Sequence, residues 1–128
     1  MGLHSDTPIY KATFELLKAV MLVAKNMPRD FKQTLACDLR DRCVKITVLI
    51  LRANKAQDKT LHLDELLEHH EEIELLIRLA RDIQAISLAQ YAKVIQLSDS
   101  VGKQANGWRG SQLRQTHEGQ GHHDRTLF

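Results

Sequence analysis

The densest run of ligand-type side chains is EHHEE, Glu68 to Glu72, two imidazoles among three carboxylates. Helical bundles build metal sites when a Glu is followed three positions later by a His, because that spacing puts both on one face. Here Leu66 and Leu67 stand three before His69 and His70, so the spacing does not match. Glu65, His69 and Glu72 do share a face, which leaves a surface zinc site as the alternative to a solvated acidic face. The acidic face is the better reading, and no metal or other cofactor is expected. Nucleophilic chemistry fares no better. The chain has no glycine-bracketed serine elbow and no phosphate loop, and neither Cys37 nor Cys43 has a context that marks an activated thiolate. Neither an enzymatic activity nor a small-molecule substrate is expected.

Cationic side chains are patterned more clearly. Lys11, Lys18 and Lys25 recur every seven residues and form one stripe along a helix, with Arg29 and Lys32 just beyond its end. Arg40, Arg42, Lys45 and Arg52 make the next segment basic as well. Alone the stripe reads as an ordinary solvated face. Together these nine residues are candidate contacts to a phosphate backbone, of the salt-sensitive and sequence-indifferent kind. The formal net charge of +2 hides this asymmetry: residues 8–59 hold eleven Lys/Arg against five Asp/Glu, and residues 60–86 hold two against seven. Asp64, Glu65, Glu68, Glu71 and Glu72 crowd the acidic part. They complement a helix N-terminus and suit head-to-tail pairing with a basic patch on a neighbouring copy.

These groups must be positioned by helices. A chain of 128 residues supports one domain, and a hydrophobic fraction of 43% with 27% charged residues is that of a soluble globular protein. Thr7-Pro8 opens helix one, with Tyr10, Leu17, Val20, Ala24 and Met27 on its inner face beside Thr13, and Pro28 ends it. Phe31, Leu35, Leu39, Cys43, Ile46, Ile50 and Ala53 mark helix two, to about Ala56. Helix three runs from a Thr60 cap to about Ile86, with Leu61, Leu63, Leu66, Ile73, Ile77, Ala80 and Ile83 among its apolar members. Ser87 caps helix four, whose seam is Tyr91, Val94, Ser98, Val101, Ala105 and Trp108. Trp108 is its last inward residue, and Gly102 and Ala105 leave room for a close neighbour. The spacing predicts an all-α, antiparallel up-down-up-down four-helix bundle over residues 1–110 and a flexible polar tail over 111–128. The two cysteines read as reduced core residues of a cytoplasmic protein, and no apolar run approaches the ~18 residues of a membrane span.

Three segments carry a family resemblance: PIYKATFELLK at 8–18, MPRDFKQTLACDL at 27–39, and LLIRLARDIQAISLAQYAKVIQLSDSVGKQANGW at 75–108. They resemble the accessory variability determinant family of diversity-generating retroelements. That family belongs with the four-helix-bundle proteins encoded in intervening sequences of bacterial 23S rRNA genes. The proline-started helices, the SLAQY start of helix four and the terminal Gly-x5-Trp are the most specific parts. The resemblance implies a bundle assembled into a ring-shaped homopentamer with a basic surface. It implies an accessory protein without catalysis that binds the reverse transcriptase and RNA or DNA, supporting error-prone copying of a template and mutagenic retrohoming. The alternative is a structural oligomer of the intervening-sequence type without strong nucleic-acid binding.

Overall fold

The computed structural model describes the backbone of residues 7–127 and the side chains of residues 7–115. Four long helices dominate it: α1 (Pro8–Asn26), α2 (Cys37–Lys55), α3 (Thr60–Asp82) and α4 (Leu88–Leu127). Each packs against the next and α4 closes back onto α1, so α1 and α3 stand diagonally across a four-helix bundle. Among the described residues there is no strand. Leu16, Val20, Leu39, Ile46, Ile50, Leu66, Ile73, Ile77, Val94 and Val101 are fully buried and fill the centre. Removing each large aliphatic side chain from water contributes about 1.5–3 kcal/mol, an upper estimate because unfolded chains are partly collapsed. The buried hydroxyls of Thr13 and Thr47 are satisfied within their own helices, donating to Ile9 O at 2.7 Å and Cys43 O at 2.8 Å.

One helical turn (Arg29–Phe31) and a π-helical segment (Lys32–Ala36) lead into α2 without a break. The sequence explains the π segment. Phe31, Leu35, Leu39 and Cys43 follow at steps of four, each overshooting an α-helical turn by roughly 40°. A wider local turn absorbs that drift. Leu35, Leu39 and Cys43 therefore stay on the buried face, and burial pushes the Cys43 thiol up to about 12.

The helix ends have identifiable causes. Thr7 Oγ1 accepts from Tyr10 N at 3.3 Å with Pro8 in the first turn, as expected. Ser87 and Gln90 form a reciprocal capping box: Gln90 N donates to Ser87 Oγ at 3.0 Å and Ser87 N donates to Gln90 Oε1 at 2.8 Å. At α3 the expected cap moves. Thr60 is the first helical residue, and Asp58 Oδ1 accepts its N–H at 3.0 Å, which holds the Asp58 carboxyl below the usual range. Lys59 caps in the other direction. Its Nζ donates to Ala53 O and Ala56 O, both at 2.8 Å, and so satisfies carbonyls at the end of α2.

Helix three stops at Asp82 rather than near Ile86. Gln84 adopts φ 62°, and Ala85 N reaches back to Ala80 O at 2.8 Å, the pattern of a left-handed helix C-cap. Leu61, at 76% exposed, and Ile83, at 40%, lie off the buried stripe, against expectation. The expected seam of α4 holds throughout, with Tyr91 and Trp108 partly buried at its ends and the four residues between them buried. Helix α4 continues past Gly110 to Leu127, where the sequence suggested a tail. The glycines beyond 110 lower helix propensity without supplying a proline stop. Residues 1–6, Phe128 and the side chains from 116 onward, which include most of that tail, lie outside the described residues.

Candidate nucleic-acid interface

Helix α1 carries the lysine stripe on its outer face. Lys11, Lys18 and Lys25 are all exposed, and at 1.5 Å per residue the stripe extends roughly 21 Å. Lys11 and Lys25 make no ion pair among the described residues, whereas Lys18 Nζ lies 2.7 Å from Glu15 Oε1. That pair is exposed on both sides and worth little in water. Arg29 and Lys32 follow at the same end as Lys25, exposed and without an ion pair among the described residues. Chain connectivity thus groups the last three cations at one end of the bundle.

The cations of α2 have a different environment. Arg42 Nε lies 2.8 Å from Glu72 Oε2 and Lys45 Nζ lies 3.6 Å from Glu65 Oε2. Both therefore face α3 and are answered by its carboxylates. Arg40 donates to Cys37 Sγ at 3.4 Å and lies 3.9 Å from Asp41. Arg52 is exposed and makes no ion pair among the described residues. The single basic surface expected of helices one and two is divided: the α1 set is open apart from the exposed Lys18–Glu15 pair, and part of the α2 set is engaged within the chain. Glu68 and Glu71 remain exposed on α3.

Two features were invisible in the charge pattern. Tyr10, partly buried against the core as expected, stacks on the exposed Phe14, with centroids 5.9 Å apart and planes inclined by 17°, and Lys18 Nζ sits 5.7 Å from the Phe14 centroid. An i, i+4 aromatic pair beside the lysines was the available signal. The second feature is in EHHEE. His69 is half-buried between Glu65 (4.0 Å) and Glu72 (3.9 Å), while His70 turns fully inward. His70 Nε2 lies 2.8 Å from the Ser98 carbonyl oxygen, so that nitrogen carries the proton, and 3.1 Å from Ser98 Oγ. Its ring packs directly against Gly102, the close neighbour for which α4 left room. One turn on, burial and then the neighbouring Asp99 carboxyl hold the Glu74 carboxyl above its ordinary range. Among the described residues no three His, Cys, Asp or Glu side chains converge as a metal site.

At the far end Trp108 packs against the core, and Arg109 pairs with Asp64 in the second turn of α3. A groove of about 150 Å³ between α1 and α4 is lined by Ala19, Leu22, Val23, Asn26, Gln90, Lys93 and Val94. No helix among the described residues is long and apolar enough to cross a membrane.

Fold and surface together define a small all-helical bundle that presents one basic helix face. A family model described as bAvd-like matches residues 9–112, and the chain belongs to that family, the accessory variability determinants. The family is one of accessory, non-catalytic proteins. A search of curated proteins found no match.

Proposed function

We propose that this chain is the accessory protein of a diversity-generating retroelement. It acts in the cytoplasm as a homopentamer, binds the reverse transcriptase and its template RNA or DNA, and supports mutagenic retrohoming without catalysing a reaction itself. The observation that carries this reading is the open lysine stripe of α1, continued by Arg29 and Lys32, on a member of the bAvd-like family. The exposed ridge of Leu75 and Leu79 on α3, continued by Ile83 at its C-cap, favours self-association. Replacing Lys11, Lys18 and Lys25 by Glu should remove nucleic-acid retention in a gel shift, with the helical CD signal intact. Unchanged binding at low salt overturns the assignment of the stripe.

The second reading is a structural oligomer of the intervening-sequence type. The internal pairs Arg42–Glu72 and Lys45–Glu65 favour it, because they remove cations from the interface. An absent or salt-insensitive gel shift together with a stable ring in light scattering selects it.

A further inference from the structure

We propose that Phe14, backed by Tyr10 and flanked by Lys11 and Lys18, is a stacking platform for an unpaired base of a single-stranded nucleic acid. This rests on the reading of α1 as a nucleic-acid interface and narrows it to one substrate class.

Phe14 is 41% exposed on the outer face of α1, where it does no work in the core. Its ring is nevertheless not free. Tyr10, one turn earlier, holds it in a near-parallel stack, so the orientation of the aromatic surface is fixed before any ligand arrives. Lys18, one turn later, lies over the same ring and is steadied by Glu15. Lys11, three residues before, is exposed and makes no ion pair among the described residues. Lys11 and Lys18 are separated by roughly 10 Å along the axis, with the ring between them. A base placed on Phe14 displaces the Lys18 ammonium outward, toward the phosphate that follows that base.

An aromatic face between cations is the combination that binds single strands, because every base has a π-face and every nucleotide a phosphate. A duplex keeps its bases stacked on one another and offers the lysines only its backbone. Stacking on a base and pairing with a phosphate are common to both kinds of strand, so RNA and DNA should depend on Phe14 alike. The competing occupant is a second copy of the chain, covering Phe14 together with Met21 and Leu22, which are also exposed. In a ring the contacts are heterologous and would set this face against a different one, so the assembly measurement below separates the two occupants.

The test compares the full-length wild type, Phe14→Ala, Phe14→Trp and the Lys11/Lys18/Lys25→Glu variant. Each is titrated against a labelled oligouridylate of about a dozen nucleotides, its deoxy counterpart and an RNA duplex of equal length. Phe14→Ala should weaken binding to both single strands roughly 5- to 100-fold, leave the salt slope unchanged and spare the duplex. Phe14→Trp should restore single-strand binding. The lysine variant should bind all three ligands more weakly, with the single-strand salt slope falling by about 0.7 for each phosphate contact removed. Equal single-strand affinity of wild type and Phe14→Ala, with the lysine variant still defective, overturns the platform and leaves the basic interface standing. A smaller assembly of Phe14→Ala in light scattering, with single-strand affinity unchanged, also overturns it and assigns Phe14 to a contact between copies. A wild type that binds none of the ligands refutes the interface itself, and the platform with it.

Discussion

A methyl group added at Gly102 would lie 2.5 Å from His70 Cε1 and 2.8 Å from Nε2, closer than real contacts allow. The imidazole cannot swing away cheaply, because it is buried and bonded to the Ser98 carbonyl. Overpacking of this kind costs about 1–3 kcal/mol, and loss of the hydrogen bond adds about 0.5–1.5 kcal/mol. Alanine returns about 1 kcal/mol through its better helix propensity. Gly102→Ala is therefore expected to destabilise the bundle by about 1–3 kcal/mol, or about 3–10 °C in Tm for a chain of this size. Urea unfolding followed by far-UV CD, at one fixed protein concentration, measures the difference. Gly107→Ala is the internal control. Nothing lies within 4 Å of its added methyl, so it should gain up to about 1 kcal/mol. Removing the obstacle in His70→Ala/Gly102→Ala should make the second substitution nearly harmless, a coupling of more than about 0.5 kcal/mol. Equal stabilisation by Gly102→Ala and Gly107→Ala would refute the His70–Gly102 contact.

Gln84 is the only non-glycine residue with positive φ among the described residues, so Gln84→Gly should relieve the left-handed cap and raise the urea midpoint by the equivalent of about 0.5–1 kcal/mol. Glu74 titrates above its ordinary range in the folded chain, so its contribution is complete at acid pH and is lost as pH rises through the folded value. Glu74→Gln should accordingly be more stable than wild type at pH 8, with the advantage shrinking toward pH 4. A difference that does not vary with pH would show that the carboxyl is solvated like any other.

The periodic elements were legible because each has a single inward stripe. The 3,4 spacing of Tyr91 to Trp108 predicts an inward seam, and that seam is what packs against the core. Legibility failed where two causes competed. Leu61 has the residue type of the core, but the apolar members of α3 are numerous enough to cover more than one face, and burial selects Leu63 and Leu66 instead. The π segment was hidden because steps of four are compatible with an α-helix until their drift is added up. In EHHEE the sequence treats two adjacent histidines alike, although neighbouring positions on a helix point about 100° apart, and only one of them meets a glycine across the interface. The cationic site was half legible. Spacing along one helix identified the α1 stripe, but whether Arg42 and Lys45 face solvent or Glu72 and Glu65 depends on the rotation of α2 against α3, which no local pattern encodes.

The diagonal placement of α1 and α3 bears on how the molecule meets an anionic chain. Neighbouring helices sit about 8–10 Å apart, so the diagonal is roughly 11–14 Å before side chains are added. That exceeds the screening length of ~8 Å at physiological ionic strength. A ligand at α1 would therefore hardly sense the carboxylates of α3, of which Glu65 and Glu72 are in any case matched inside the chain by α2. The overall charge of +2 understates the local field. On the interface proposed above, the charge difference between the α1 and α3 edges would turn a polyanion to the α1 edge before the two touch.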